Sequence, residues 1–351
     1  MKGARYRVDA GGEQRVAEAA VESISSADHI GDAAASVYSG LAAGGAPDAV
    51  GHRLVHGGPK LVAPALIDDA TLAELRAAAV FAPLHLPAAI DAIDAVRSRA
   101  SRIPQVACFD TSFHQSLPDT QWRLPIPHSL ADEGIRRYGF HGLSYEYVVG
   151  AVGAETLGRA VVAHLGNGAS LCAIASGRSV ATSMGFTPTG GIPMGTRAGD
   201  LDPGVLVYLV REAGYDADRL ERLVDHESGL VALGGASDMR ELLQRRSAGD
   251  DDARLAVEVF CTRVAMEIGA YATVLGSVDT VVFTAGIGER AEAVRSEVCS
   301  RLAHLGVRLD DDRNDAHEPV ISTGDSVVTV RVVETDEDAV IARHARRVVL
   351  G

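Results

Sequence analysis

Apolar and polar positions follow two alternating patterns along the chain. Short runs rich in β-branched residues are separated by longer segments, rich in Ala, Leu and Glu, whose apolar residues recur with helical period. This alternation predicts an α/β protein with a largely parallel sheet. The predicted strands are 50–55, 105–109, 160–164, 171–174, 280–284 and 327–333. The predicted helices are 69–80, 87–98, 255–275 and 289–305.

The order of these elements predicts two α/β halves, because two strand-rich stretches are each followed by helices. We expect the boundary between the halves near residues 146–158, where Gly153 and Gly158 lie. The helix over 255–275 is a candidate for a dimer or interdomain contact, although its apolar face suits an ordinary core equally well.

Composition narrows the class of protein. A hydrophobic content of 47% over 351 residues is that of a globular chain with a sizeable core. The net charge of -14 disfavours binding to nucleic acid or to an anionic membrane. The four cysteines lack C-x-x-C spacing, which indicates reduced thiols rather than a zinc site or disulfides. Because no segment approaches the roughly 18 apolar residues of a membrane span and the start lacks a signal peptide, we expect a cytoplasmic protein.

The strongest candidate for chemistry is the segment 162–204. A strand ends at His164, and Gly166, Asn167, Gly168 and Ser170 are predicted to form a turn before the next strand. Glycines at such a turn let backbone N–H groups approach an anion, although an ordinary Gly-rich hairpin has the same pattern. The downstream loop favours the anion site, because it sets Arg197 among small residues, and a guanidinium there can bind phosphate or carboxylate.

Three further segments carry candidate side chains in the first half of the chain. Arg53 and Val55 share a strand face, and a cation beside an apolar wall suits a small carboxylate with a methyl end. Asp110 directly follows an apolar strand, where α/β proteins collect ligands, and could orient an arginine or meet a metal. His141 lies between Phe140 and Gly142. Taken singly, Arg53 could be a surface ion pair and His141 a satisfied core residue.

Two segments near the C-terminus complete the set. Residues 283–290 read as a strand, then Gly286 and Gly288, then a helix beginning at Glu289, which suits a nucleotide contact. Residues 334–345 place a run of acids at a strand-to-helix junction. Such acids also occur simply because they complement the positive end of a helix.

In this order the segments GHRLVHGG, FDTSFHQSLP, RRYGFHGLS, HLGNGAS, TSMGFTP, MGTRAGDLDPG, SGLVALGGASDMREL, FTAGIGER and TDED resemble the acetate kinase (acetokinase) family over about residues 50–345. The resemblance implies the actin, Hsp70 and sugar-kinase superfamily, with two duplicated actin-like (ribonuclease H-like) domains and ATP in the cleft between them. The N-terminal domain would span 1–148, with 336–351 packing back on it, and the nucleotide-binding domain 149–335.

The same resemblance implies a reaction and its participants. A reversible in-line phosphoryl transfer between ATP and acetate, giving ADP and acetyl phosphate, would require Mg²⁺ or Mn²⁺, and the protein would be a homodimer. The alternatives are a propionate or butyrate kinase, or a catalytically impaired protein that binds nucleotide or acyl phosphate.

Site residues follow from the resemblance position by position. The catalytic residues implied are Asp110, Arg53, Arg197 and His141. The acid would be held by Arg53, Val55, Leu84, Phe140 and Pro188. The nucleotide would be held by His164, Leu165, Gly166, Asn167, Gly168, Asp238, Met239, Arg240, Gly286, Ile287 and Gly288. Glu337 matches the magnesium-linked glutamate.

The chain departs from the family pattern in two respects. The family opens with an Asn-x-Gly-Ser-Ser-Ser-x-Lys loop, whereas residues 3–8 resemble only its tail and the next strand, with Arg5 where the Lys would be. We therefore expect a start codon assigned too far downstream and weak kinase activity for the chain as given. Leu143, Tyr145 and Arg290 stand where Thr, His and Asn are common, which bears on substrate or nucleotide preference.

Overall fold

The computed structural model describes residues 1–9, 11–21, 29–83 and 85–351. Its strands are β1 (Lys2–Asp9), β2 (Gly12–Ala20), β3 (Val50–Leu54), β4 (Ala65–Leu66), β5 (Gln105–Phe109), β6 (Ala160–Leu165), β7 (Ala169–Ala175), β8 (Arg178–Thr182), β9 (Thr280–Thr284) and β10 (Thr329–Val332). The helices of the N-terminal half are α1 (Ile30–Ala42), α2 (Asp69–Ala78), α3 (Leu86–Arg99), α4 (Asp119–Trp122), α5 (His128–Asp132), α6 (Gly142–Val152) and α7 (Ala154–Leu157).

The remaining helices lie in the second half of the chain. They are α8 (Pro203–Glu212), α9 (Ala217–His226), α10 (Gly229–Gly234), α11 (Met239–Ser247), α12 (Asp251–Leu275), α13 (Ala285–Arg290), α14 (Glu292–Arg301), α15 (Asp311–Asp315) and α16 (Glu337–Leu350). Short 3₁₀ segments cover Ala79–Phe81, Ser112–Ser116 and Ala303–Leu305. The mixture of sheets and helices is that of an α/β protein, as predicted.

The strands of the described residues form three sheets. The largest has the order β10-β9-β6-β7-β8, a smaller one has the order β3-β5-β4, and β1 pairs with β2 in a two-stranded sheet. Strands β10, β9 and β6 run parallel, as do β3 and β5, but β6–β7, β7–β8 and β4–β5 pair antiparallel. The prediction of a largely parallel sheet is therefore wrong. The short turns that join β6 to β7 and β7 to β8 leave no room for the crossover that a parallel pair needs.

Most predicted elements lie within a few residues of the observed ones. The predicted strand 171–174 begins earlier, at Ala169, so Ser170 lies in β7 rather than in the preceding turn. The predicted strand 327–333 is shorter, and α12 starts four residues earlier than predicted because Asp250 caps it by accepting from the Ala253 N–H.

The predicted helix over 289–305 is confirmed over Glu292–Arg301, but its predicted start at Glu289 and its continuity are wrong. Helix α13 already begins at Ala285, so Gly286 and Gly288 are helical, and Ala291 then interrupts the helical backbone at φ -106° and ψ 85° before α14 begins.

The larger core lies around the five-stranded sheet. All of β6 and nearly all of β7 are buried. Helix α12 packs across the sheet, and its Phe260, Val264 and Ile268 are fully buried. One face of α12 therefore belongs to the core, while Met266 is 59% exposed. The four cysteines are buried and free of disulfides, as predicted.

The last helix, α16, packs against the smaller sheet. Val340 and Ile341 of α16 share a buried cluster with Val106 and Cys108 of β5 and with Leu143 of α6. This packing brings the start of α16 beside the end of β3. The domain division stays a prediction, and α6 continues through residue 148. Among the described residues, no helix is long and apolar enough to cross a membrane.

Candidate active site

A cleft of about 420 Å³ lies where strand ends of the five-stranded and three-stranded sheets meet the start of α16. Residues near the carboxyl ends of β3, β6 and β9 contribute to it, the edge at which α/β folds collect ligands. The cleft is lined by Arg53, His141, His164, Gly166, Asn167, Gly168, Ala285, Gly286, Glu289, Arg290, Thr335 and Glu337.

Arg53 joins two carboxylates on one wall of the cleft. Its Nη2 lies 2.9 Å from Oδ2 of the buried Asp110, and its Nε also donates to that carboxylate. Its Nη1 lies 2.5 Å from Oε2 of Glu337. The charge of Asp110, more than any other neighbour, raises the pKa of Arg53. The guanidinium is thus held in one orientation while two-fifths of its side chain remains exposed to the cleft.

Glu337, at the first turn of α16, keeps one free oxygen. Burial raises the pKa of Glu337 to about 7, and the charge of Arg53 opposes that rise. Its Oε1 is buried and has no hydrogen-bond partner in the described parts of the chain. A buried oxygen without a partner is costly, so a bound cation or water there would satisfy it.

Two histidines stack face to face on the opposite wall. The rings of His141 and His164 lie 4.1 Å apart with an interplanar angle of 15°. Nδ1 of His141 lies 2.9 Å from Oγ of Ser170, and Nδ1 of His164 lies 2.8 Å from Oγ of Ser144.

The surroundings of both histidines favour the neutral imidazole, because they lower the pKa of each ring. Burial, helped by neighbouring positive groups that include Arg53 and Arg197, holds the pKa of His141 well below its usual value. Burial also lowers the pKa of His164 to about 3. The rings therefore act as neutral hydrogen-bonding groups.

Arg197 lies in the loop between β8 and α8. Its Nη1 donates to the Pro188 carbonyl at 3.3 Å, and burial lowers its pKa. Among the described residues no carboxylate lies within ion-pair distance of Arg197. This guanidinium is therefore a partly buried cation without a direct ion pair in the described structure, although the charge of Asp225 partly offsets the lowering of its pKa, and this favours binding of an anionic ligand.

The turn between β6 and β7 lies beside both Arg197 and His141. Gly195 donates from its N–H to the Asn167 carbonyl at 3.1 Å, which ties the turn to the loop of Arg197. A Cβ added at Gly168 would lie 3.4 Å from Nη1 of Arg197 and 3.5 Å from Nε2 of His141. The space beside Gly168 is thus bordered by a cation, a ring nitrogen and backbone.

Helix α13 forms the far wall of the cleft. Oε1 of Glu289 accepts from the N–H groups of Ala285 and Thr335 at 2.8 and 3.0 Å, which joins α13 to the segment before α16. A Cβ at Gly286 would meet open space, so this side of the helix can accept a ligand at close range. Ile287 packs on the core behind Gly286, and Gly288 is buried.

The structure brings most of the predicted site residues together. Arg53, His141, His164, Gly166, Asn167, Gly168, Gly286 and Glu337 line the cleft. Asp110 contacts the lining residue Arg53, Arg197 borders the space beside Gly168, and Leu165 is buried.

Other predicted residues lie apart from the cleft lining. Asp238 caps α11 and pairs with Arg240, while Met239 is buried in the core. Of the predicted acid pocket, Phe140 is buried, Val55 packs against the same cluster and Pro188 contacts Arg197. Leu84 lies outside the described residues.

The contacts of several residues of the site were not predicted, although Ser170 was expected in the turn after the strand that ends at His164, and Glu289 at the start of a helix. Ser170 and Ser144 tether the two histidines, and Thr335 and Glu289 close the far wall. Ser170 could have been found by extending β7 by two residues, because alternation then places it on one face with Cys172 and Ile174.

Among the described residues, no group of three or more His, Cys, Asp or Glu side chains could by itself hold a metal ion. A magnesium ion at Glu337 would therefore take most of its ligands from phosphate oxygens and water, which is the usual arrangement for this ion with nucleotides.

Comparison with known proteins gives a consistent result. A sequence model of the acetokinase family matches residues 18–343. The chain is 47% identical over 311 residues to an acetate kinase of Rhodopseudomonas palustris, covering 86% of this chain and 77% of that protein.

Solved structures agree with this result. An acetate kinase from Porphyromonas gingivalis is similar with a TM-score of 0.81 and 38% identity, covering 86% of this chain and 78% of that one. A propionate kinase from Francisella tularensis is similar with a TM-score of 0.83 and 38% identity, covering 85% and 79%.

Proposed function

The chain belongs to the acetokinase family, and from this premise we propose that its cleft transfers a phosphoryl group between ATP and acetate, giving ADP and acetyl phosphate. One observation supports the location of the reaction more than any other. Arg197, which has no carboxylate partner in the described part of the chain, and His141 border the same space beside Gly168, and Arg53 lines the same cleft. Phosphoryl transfer needs this kind of arrangement, since negative charge spreads over the equatorial oxygens and must be met by positioned donors.

The roles follow from the groups present. A carboxylate oxygen of acetate attacks the terminal phosphorus of ATP, a new P–O bond forms, and the bond to the bridging oxygen breaks with its electron pair leaving on ADP. Acetate is already ionised near neutral pH, so no base has to remove a proton. Arg53 and Arg197 attract the acid and the phosphoryl oxygens, and Nε2–H of the neutral His141 donates to the group in transfer. Asp110 orients Arg53 through its paired contacts.

Glu337 would hold the magnesium ion that accompanies the nucleotide, or a manganese ion in its place, since its Oε1 has no other partner among the described residues. When bound, such an ion neutralises phosphate charge. The turn 166–168 and Gly286 would contact the phosphates and the nucleoside. Asp238 and Arg240 belong to this nucleotide proposal as well, at the start of α11.

The test is a coupled assay of ADP release with acetate, ATP and magnesium, with acetyl phosphate trapped as its hydroxamate. Turnover that needs acetate and is lost in Arg197→Ala, but not in the surface control Arg308→Ala, supports the proposal. Nucleotide binding without any turnover would favour the alternative of an impaired nucleotide-binding protein.

The chain length of the acid is a separate part of the proposal. The propionate kinase and the acetate kinase of known structure are equally identical to this chain, at 38% each. We favour acetate because Val55, two residues after Arg53, packs against the buried cluster that contains Phe140 and would close the pocket behind a methyl group. A panel of acetate, propionate and butyrate decides between them, and a higher kcat/KM for propionate would contradict this choice.

We also propose that the protein acts as a homodimer in the cytoplasm, where ATP is supplied. Helix α8 has no buried residue, and Val205, Val207, Tyr208 and Val210 are each between 44% and 62% exposed. Apolar side chains exposed on several sides of one helix are typical of a protein interface, and a second copy of this chain would cover them. Sedimentation of the parent and of Tyr208→Arg tests this; a monomeric parent would contradict it.

A further inference from the structure

A chain of two hydroxyl groups leads away from the cleft behind His141. Nδ1 of His141 lies 2.9 Å from Oγ of Ser170 in β7, and that oxygen lies 2.5 Å from the phenol oxygen of Tyr145 in α6. Both Tyr145 and Ser170 are fully buried.

The hydrogens of these groups can be placed by requiring that each buried donor finds an acceptor. Within the described structure, Ser170 is the hydrogen-bond partner of the Tyr145 hydroxyl, and His141 is the other partner of Ser170. Burial raises the pKa of Tyr145 well above its usual value, so the phenol keeps its hydrogen. If Ser170 donated to Tyr145, the phenol hydrogen would be buried without an acceptor.

One arrangement satisfies every group. Tyr145 donates to Ser170, Ser170 donates to Nδ1 of His141, and the single hydrogen of the neutral imidazole is then on Nε2. That nitrogen lies 3.5 Å from where a Cβ at Gly168 would be, on the side of Arg197. It is therefore the nitrogen that meets a phosphoryl oxygen.

We propose that Tyr145 and Ser170 are positioning residues that fix His141 in the tautomer with its hydrogen on Nε2, facing the transferring phosphoryl group. The other tautomer would turn a lone pair toward negatively charged oxygens and would repel them. The pKa of His141 is well below its usual value, chiefly through burial, so protonation does not supply a second hydrogen and the tautomer decides whether a donor is present.

The kinetic test rests on the proposed phosphoryl transfer. Tyr145→Phe should lower kcat roughly tenfold, the scale of one hydrogen bond, and Ser170→Ala about a hundredfold, while KM for acetate and ATP stays within about twofold. Tyr147→Phe removes a phenol hydroxyl from the same helix and should leave kcat unchanged.

A double substitution separates positioning from packing. In a His141→Ala background, Tyr145→Phe should change kcat by less than about twofold, because the hydrogen bonds from Tyr145 through Ser170 then no longer reach a histidine. An equal loss with and without His141 would mean that Tyr145 acts through general packing, and this would overturn the proposal.

A second measurement needs no turnover. In protein labelled with ¹⁵N at histidine, NMR distinguishes protonated from unprotonated ring nitrogens, and the His141→Ala variant assigns the signals. We expect His141 of the parent to have a protonated Nε2 and an unprotonated Nδ1, and we expect a mixture of the two tautomers in Ser170→Ala. A protonated Nδ1 in the parent would overturn the proposed role of Tyr145 and Ser170. If the parent has the expected tautomer but no activity, the proposed reaction is contradicted, while the positioning of His141 by Tyr145 and Ser170 stays supported.

Discussion

Replacing Arg197 by Ala separates catalysis from stability more cleanly than any other change at the cleft. The guanidinium is partly buried, its main neighbour is the Pro188 carbonyl, and burial lowers its pKa, so the fold bears a cost for holding it charged. Removing one preorganised donor from developing charge costs about 3–4 kcal/mol, or 10²–10³ in kcat. Because no buried carboxylate loses a partner, the free energy of unfolding should stay the same or rise slightly.

The comparison variant is Arg53→Ala, for which we expect a different pattern. Arg53 pairs with the buried Asp110 and with Glu337, so its removal leaves two carboxylates without a cation. Breaking a buried pair costs up to about 3–5 kcal/mol, and the two-fifths exposure of Arg53 places the cost below that range. Arg53→Ala should therefore lose both turnover and stability.

The assay measures turnover with acetate, ATP and magnesium beside thermal unfolding for both variants and for the surface control Arg308→Ala. The reasoning is refuted if Arg197→Ala keeps activity within about tenfold of the parent. It is also refuted if Arg197→Ala unfolds as early as Arg53→Ala, since Arg197 would then have a structural partner.

Three other changes test separate walls of the cleft. Val55→Ala should raise the ratio of kcat/KM for propionate over acetate roughly tenfold, the scale of one methylene in an apolar pocket. Gly168→Ala places a methyl group between the histidine and the loop arginine, so kcat should fall at least about tenfold, while Gly269→Ala, whose Cβ meets open space in α12, should not lower it. Glu337→Gln should raise the magnesium concentration needed for half-maximal rate roughly tenfold, with Glu334→Gln as the exposed control.

Each of these outcomes can fail independently. An unchanged acid ratio would place the apolar pocket away from Val55. Normal turnover in Gly168→Ala would mean that the transferred group does not pass beside that residue. A shifted acetate dependence with unchanged magnesium dependence in Glu337→Gln would assign the glutamate to Arg53 rather than to the ion.

Local patterns predicted the parts of the fold that short segments determine. The β-branched runs at 105–109 and 280–284 coincide with β5 and β9, because buried strands require such side chains wherever they lie in a sheet. The direction of pairing between strands was not predictable in the same way. It depends on which strand lies beside which, and the antiparallel partners of β7 follow from turn lengths that the strand pattern alone does not give.

The site shows the same division. Arg53, Asp110 and Glu337 come from three distant segments, and motif spacing alone could not show that one guanidinium contacts both acids. Resemblance to a family supplied these residues, and their roles stay predictions until they are tested. The contact of Ser170 with His141 was not predicted, because it depends on the register of β7 against β6, which no short motif encodes.

Backbone conformation at the cleft adds a feature that sequence reasoning could not reach. His141 and Ala285 adopt left-handed backbone at φ 57° and 63°, although neither is glycine. Such a conformation costs roughly 1–2 kcal/mol for a residue with a Cβ.

At His141 it is held by the Gly142 N–H donating to the Asp110 carbonyl at 2.8 Å, and at Ala285 by its own N–H donating to the Glu289 carboxylate. Both supports come from residues of the candidate site itself, so the same contacts that keep these strained turns also orient the histidine and α13. In a sequence, only glycine predicts a position with positive φ. A histidine or alanine in this strained conformation at a ligand cleft can therefore be recognised only from the structure and its surrounding contacts.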